Sequence, residues 1–386
     1  MDNSLKLKTL LFFATLLGLM ACGHRPAEPT DTVGGDFVAA TDLSLDEAIG
    51  EMLLVGFRGT EVDEQNHIWR DIRDYHVGSV ILFDYDMPSG KRGRNIKNAK
   101  QVKNLCRQLH ELTPTLLIGI DQEGGKVSRL STRYGFPPIL SAQKSAAHGI
   151  DTVRHYARLT AKMLAELGIN LNFAPVADVN INPDCPVIGK LERTFSASPT
   201  KVTKCCAVWI EEQQAQGVAS CLKHFPGHGS ATGDTHKGLV DVSQTWQRSE
   251  LAPYSDLKNI DMVMTAHVIN RQLDPSGLPA SLSPKITSYL RDTLDFHGVI
   301  VTDDLAMGAI ANQYSLEQTV LMALEAGADL LCLSNNGSNG YDPDIVPKVV
   351  KIIKKLVADG SVDPERIYHS ALRVRELKER LTKSTR

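Results

Sequence analysis

From about Leu43 onward the chain repeats one pattern: a short apolar run rich in β-branched residues, a polar loop, then an amphipathic stretch. The apolar runs cover residues 52–57, 79–83, 116–120, 170–173, 218–222, 262–266, 299–302 and 329–333, and helical spacing follows over segments such as 152–167, 201–216 and 316–326. Continuous rather than alternating apolar runs suit strands of a parallel sheet covered by helices. Strands alternating with helices form βαβ units. Eight such units predict an α/β fold, a single (β/α)8 TIM-type barrel, with C-terminal helices over 345–359 and 364–383. A doubly wound sheet is the alternative, and the absence of GxGxxG after any run weakens its dinucleotide-binding form.

A barrel places its chemistry where strands end and loops begin. The predicted strand ends carry Asp84, then Asp121, Gln122 and Glu123, then Asn172 and Asp178, then Lys223 and His224, His267, Asp303 and Asp304, and finally Ser334 and Asn335. Ionisable groups therefore gather at one end of the predicted sheet.

Three segments stand out. The first runs Lys223-His224-Phe225-Pro226-Gly227-His228-Gly229 and on to Asp234-Thr235-His236. Its glycines and proline suit a loop of unusual backbone angles. Asp234 and His236 stand two apart, so in extended chain they project to one side, and a carboxylate beside imidazole fixes its tautomer for acid/base work. Two other readings stay open here: a zinc site of His224, His228 and His236 with Asp234, or a turn whose histidines only satisfy hydrogen bonds. The second segment, residues 298–305, is an apolar strand running into Asp303 and Asp304 ahead of a helix expected over 305–311. An N-cap role explains one aspartate but not two; a carboxylate at a barrel strand end can also attack an anomeric carbon. The third, residues 118–129, sets Asp121, Gln122 and Glu123 before paired glycines and Arg129, which suits either a hydroxyl-rich ligand or a strand-ending turn with solvated charges.

Together these segments resemble the glycoside hydrolase family 3 β-N-acetylglucosaminidases, over about residues 52–377. The resemblance implies a retaining exo-enzyme in which Asp303, rather than Asp304, is the nucleophile and His236, polarised by Asp234, is the general acid/base. It assigns sugar binding to Asp121, Arg129, Arg193, Lys223 and His224, and implies no cofactor and no metal. Two departures are visible. Arg193 follows two residues more than the family's usual spacing, which would displace it or widen the aglycone side, and Lys126 stands where Arg is frequent. Larger members carry a second domain that often supplies a carboxylate acid; here the last residues read as two helices, which leaves His236 as the donor. The implied substrates are terminal β-linked N-acetylglucosamine residues of peptidoglycan fragments, chito-oligosaccharides or glycans. Rivals are a phosphorylase, since imidazole repels phosphate less than a carboxylate does, a metal-dependent hydrolase, and a lipid-anchored sugar-binding protein without catalysis. Asp234, His236 and Asp303 standing together argue against the last.

With 386 residues, 42% of them hydrophobic, and a net charge of -3, the chain can bury a large core and lacks the excess cations of a nucleic-acid partner. The lysines of 348–355 read as a solvated helix face. At the N-terminus, Lys6 and Lys8 precede an apolar stretch over 10–20 that ends in Ala21-Cys22. This reads as a signal peptide over 1–21, too short to span a bilayer. The run Leu19-Met20-Ala21-Cys22 is similar to a bacterial lipobox, making Cys22 the lipid attachment point, residues 22–41 a flexible tether and 42–386 the catalytic domain of an exported, membrane-anchored lipoprotein. An ordinary signal peptide with an incidental cysteine is the plainer alternative. Cys106, Cys185, Cys205, Cys206, Cys221 and Cys332 lack CxxC spacing and read as buried thiols. Oligomeric state is not legible.

Overall fold

A computed structural model describes residues 42–337 and 340–384. Cys22, the leader and the tether lie outside these described residues.

Eight strands occupy the positions that the apolar runs predict: β1 Leu53–Gly56, β2 Ser79–Leu82, β3 Leu117–Ile120, β4 Leu171–Asn172, β5 Ala219–Phe225, β6 Met262–Thr265, β7 Val299–Thr302 and β8 Leu331–Leu333. Each pairs in parallel with its sequence neighbour, and β1 also pairs with β8. A parallel bridge between Val301 and Leu330, with the Thr302 amide donating to the Leu330 carbonyl at 3.1 Å, joins β7 to the β8 side. The sheet is thus the expected barrel, not a doubly wound layer. Every residue of these eight strands is buried, which is why their sequences run apolar without alternation.

Among the described residues, the helices of seven or more residues are α1 Leu45–Glu51, α2 His67–Asp74, α3 Ala99–Leu112, α4 Ile150–Leu167, α5 Pro199–Gln214, α6 Leu316–Glu325, α7 Ile345–Ala358 and α8 Pro364–Ser384. Several begin on a side-chain cap where the sequence offers Ser or Asn. In α1, Ser44 and Glu47 form a reciprocal capping box. The connection from β6 to β7 has only short turns of helix. The lysines of α7 are partly spoken for at the surface, Lys348 by Asp342, Lys354 by Asp46 and Lys355 by Glu317. No helix among the described residues is long and apolar enough to cross a membrane.

Packing falls into three layers. One apolar cluster fills the barrel interior, including Leu54, Ile81, Leu117, Leu171, Cys221, Met262, Val299 and Cys332. Two larger clusters lie between the outer faces of the strands and the helices. Helix α8 does something different: its Val374 and Leu377, both fully buried, join the interior cluster and floor the barrel at the N-terminal ends of the strands. Buried Asp329 fixes this helix, accepting from Ser370 Oγ at 2.7 Å, Arg373 Nη1 at 3.0 Å and the Ile300 amide at 2.9 Å. The six described cysteines are free and buried, and burial pushes the Cys106 thiol up to about 12.

One boundary differs from the sequence expectation. The helix after β7 begins at Gly308, capped by Met307, not at Leu305. Leu305 is buried in a turn closed by the Met307 amide donating to the Asp304 carbonyl at 3.0 Å, and its own amide donates to the Cys332 carbonyl at 3.0 Å. Asp303 and Asp304 are therefore not helix caps.

Truncating Leu377 to Ala should lower the unfolding free energy by about 2–5 kcal/mol, as for other buried leucines whose cavity cannot collapse. A urea titration reads this directly. A loss below 1 kcal/mol would show that α8 does not seal the barrel floor.

Candidate active site

The loops at the C-terminal ends of the strands surround a cavity of about 890 Å³. Asp121, Arg129, Arg193, Lys223, His224, Asp234, His236 and Asp303 all line it. Residues up to 182 positions apart in sequence meet there because each stands at a strand end or on the loop that follows one.

The floor is a network of charges. Lys223, 2% exposed on β5, places its ammonium 2.8 Å from Asp121 and 2.8 Å from Glu123, both just beyond β3. Arg193 grips Glu123 with two parallel hydrogen bonds of 2.8 Å, and Arg129 reaches Asp121 at 3.2 Å. Burial opposes both negative charges, yet the cations win. Lys223 and Arg129 hold Asp121 far below the usual carboxylate range, and Arg193 with Lys223 holds Glu123 at about 2. The two extra residues ahead of Arg193 do not carry it out of the cavity. They are absorbed in a tight turn, Gly189–Leu191, with Glu192 in the left-handed region tied outward to Ser141 and Lys144.

A second buried carboxylate organises the histidine loop. Asp178 accepts from the amides of His224 and His228 at 3.2 and 2.7 Å and lies 2.7 Å from His224 Nδ1. Burial would raise its pKa, but His224 lowers it to about 2. An ionised Asp178 fixes the proton of His224 on Nδ1, so Nε2 faces Arg193 at 3.4 Å as an acceptor. His228 is desolvated, with its pKa lowered to about 4, and its Nε2 lies 3.2 Å from the Thr235 hydroxyl.

The acid/base candidate sits on the outer part of this loop. Asp234 Oδ1 takes both the His236 amide, at 2.9 Å, and His236 Nδ1, at 2.8 Å. That leaves Nε2 free to serve a ligand. Burial opposes the charge on Asp234, and its bonds to His236 prevail and lower its pKa.

The paired aspartates after β7 have opposite environments. Asp304 is spent on structure: Oδ1 accepts from the Ser334 and Ala306 amides at 3.0 and 3.2 Å, and Oδ2 takes the Ser334 hydroxyl. Burial pushes its pKa up. Asp303 keeps a carboxylate that accepts from the Asp304 amide at 2.8 Å. Burial again opposes its charge, but His267 and His224 hold its pKa below the ordinary value. The structure thus separates an ionised, available carboxylate from a committed one.

His224, His228 and His236 do not converge; each is taken by a different partner, Asp178, Thr235 and Asp234. Among the described residues no group of three His, Cys, Asp or Glu side chains is placed to hold a metal. Glu123 and Asp178 were visible as acidic residues at strand ends, but their partners lie 70 and 46 positions away, and spacing could not assign them.

The protein-family model described as Glycosyl hydrolase family 3 N terminal domain matches residues 44–377. The chain is similar to a beta-hexosaminidase A of Pseudoalteromonas piscicida, 31% identical over 340 residues, and covers 81% of this chain but only 55% of that protein. It is similar to a beta-hexosaminidase of Pseudomonas aeruginosa, 33% identical over 270 residues, 69% of this chain and 77% of that one. Among solved structures it superimposes on a family 3 beta-N-acetylglucosaminidase from Paenibacillus sp. FPU-7 with a TM-score of 0.79 and 33% identity, covering 88% of this chain and 63% of the other. A beta-N-acetylhexosaminidase from Beutenbergia cavernae gives a TM-score of 0.75 at 30% identity, covering 88% and 99%.

Because Asp178 is held near 2 when folded and near 4 when unfolded, it stabilises the fold above pH 4, and that contribution is lost as pH falls from about 4 to 2. The stability advantage of the native protein over Asp178→Asn should therefore shrink by on the order of 2 kcal/mol between pH 5 and pH 2. Denaturant titrations across that range decide it; a constant difference would mean that Asp178 is not ionised against His224.

Proposed function

Because the chain belongs to glycosyl hydrolase family 3, we propose that it is an exo-acting, retaining β-N-acetylglucosaminidase that hydrolyses terminal β-linked N-acetylglucosamine. The observation that carries this reading is the pairing in one cavity of an available, ionised Asp303 with the Asp234–His236 dyad, above a floor of fixed charges. The names of the relatives support the N-acetyl sugar.

The chemistry is a double displacement. Asp303 attacks the anomeric carbon as the bond to the leaving oxygen breaks, and His236 gives that oxygen its proton through Nε2. The neutral imidazole then takes a proton from water, which displaces Asp303 and restores the configuration. One imidazole can both give a proton and take one back, so His236 can play both parts. Asp234 holds the proton on Nδ1 and stabilises the imidazolium. An ammonium has three donors, and two on Lys223 are committed to Asp121 and Glu123, leaving one for a sugar oxygen. Asp121, ionised, accepts sugar hydroxyls, while Arg129, Arg193 and His224 complete the cradle. Natural substrates are peptidoglycan fragments or chito-oligosaccharides. Export and anchoring through Cys22, supported by Lys6, Lys8 and the apolar stretch before Ala21, would set this activity on a membrane facing the outside of the cytoplasm.

Purified protein should release p-nitrophenol from the N-acetyl-β-glucosaminide and far less from the plain β-glucoside, with chelator present and with activity abolished in Asp303→Ala. Sugar binding without turnover in the native protein would instead support a binding protein. A sugar phosphate formed in phosphate buffer would identify a phosphorylase, a reading favoured by the imidazole standing where a second carboxylate would repel phosphate. His236→Ala should lose about 10²–10⁴-fold in kcat/KM on disaccharides but little in kcat/KM on a dinitrophenyl glycoside, whose leaving group needs no proton. Equal losses would remove the acid role from His236.

A further inference from the structure

His236 is the least supported side chain of the site, being 63% exposed, and its ring is held by Asp234 from within the same short turn. Something other than side-chain packing must therefore fix that turn over the cavity. The turn closes on itself, with the Lys237 amide donating to the Asp234 carbonyl at 3.0 Å. Its outward carbonyls then meet the short helix Gly308–Ala311, which follows the nucleophile strand. The Gly308 amide donates to the His236 carbonyl at 3.3 Å, and the Ala309 amide to the Thr235 carbonyl at 3.1 Å. Asn312 Nδ2 adds a contact to the Lys237 carbonyl at 3.4 Å.

First-turn amides of a helix have no partner within the helix. Here they are satisfied by the backbone that bears the acid/base candidate. The contact is close because position 308 has no side chain: a Cβ there would lie 2.6 Å from the His236 carbonyl oxygen and 3.1 Å from the Lys237 carbonyl carbon. Gly308 does not have the positive φ that would itself demand glycine. Space alone excludes a side chain.

We infer that Gly308 is a positioning residue: the amides of Gly308 and Ala309 dock the Thr235–Lys237 backbone and so set where His236 stands relative to Asp303. The strand β7 that delivers Asp303 and the loop that delivers His236 are thereby joined by main-chain bonds a few residues from each. This rests on the acid/base reading of His236.

Gly308→Ala tests it. The added methyl group suits the helix but must push the His236 carbonyl away by several tenths of an ångström, and misplacement on the ångström scale can lower rate about 10²-fold. The variant should lose about 10–10²-fold in kcat/KM on an N-acetylglucosamine disaccharide and less than about 3-fold on the dinitrophenyl glycoside. Asn312→Ala, a change at an exposed residue, should shift the same ratio in the same direction by about 3-fold, and it serves if Gly308→Ala does not fold. His236→Ala is measured alongside. If it shows the leaving-group split and neither helix variant does, the docking inference is overturned. Equal losses on both substrates in the helix variants would also overturn it. If His236→Ala itself shows no split, the acid/base reading fails first, and the inference with it.

Discussion

Lys223 stands with its ammonium between two carboxylates in a place nearly closed to water, and much of the site is arranged around that contact. Bringing charges into such surroundings is unfavourable, and mutual attraction offsets the penalty only where geometry is good and every remaining donor and acceptor is met. The barrel supplies that geometry. Strands β3 and β5 hold Asp121, Glu123 and Lys223 at 2.8 Å although about a hundred residues separate them in sequence. The turn ahead of Arg193 then brings a second cation onto Glu123. Removing Glu123 would leave buried Arg193 without its carboxylate, and removing Lys223 would leave Asp121 and Glu123 with one cation each. The network therefore behaves as a rigid unit, and a ligand meets donors and acceptors already aimed, with little reorganisation left to bear on binding.

Around that floor, chemically similar residues are made different by their neighbours. Asp303 and Asp304 are adjacent, yet the amides and hydroxyl of the β8 loop and its surroundings occupy Asp304, while Asp303 faces imidazoles and keeps its charge. The three histidines of the loop divide in the same manner. His224 is locked by Asp178, His228 is dried out beside Thr235, and His236 alone reaches toward solvent. Environment, not residue type, sorts structural groups from reactive ones.

The barrel was legible because its strands are covered on both faces, so each writes an uninterrupted apolar run; only their ends shifted by a few residues. The short β4 ends at Asn172, and its pairing with β5 resumes beyond Pro175 in a bridge between Val176 and Lys223. The late start of the helix at Gly308 was not legible, since Leu305 is apolar and fits a helical face but is in fact held in a turn, its amide bound to Cys332. Among site residues, those in the dense segments around 121, 223 and 303 could be named from the sequence, because a strand end concentrates them. Glu123 and Asp178 could not be given roles, as their partners come from other loops. The fate of Arg193 was equally hidden: whether two extra residues displace an arginine depends on a turn with one left-handed residue, Glu192, which composition does not foretell.

The plug that Val374 and Leu377 make at the barrel floor has a consequence for traffic. With interleaved side chains closing the barrel floor, whatever reaches Asp303 must come and go on the side of the loops, through the mouth of the cavity. For any two-step displacement on that carboxylate, the outer fragment has to clear the mouth before the second reactant can enter behind it. The order of departures is then imposed by the architecture: outer piece first, inner piece last.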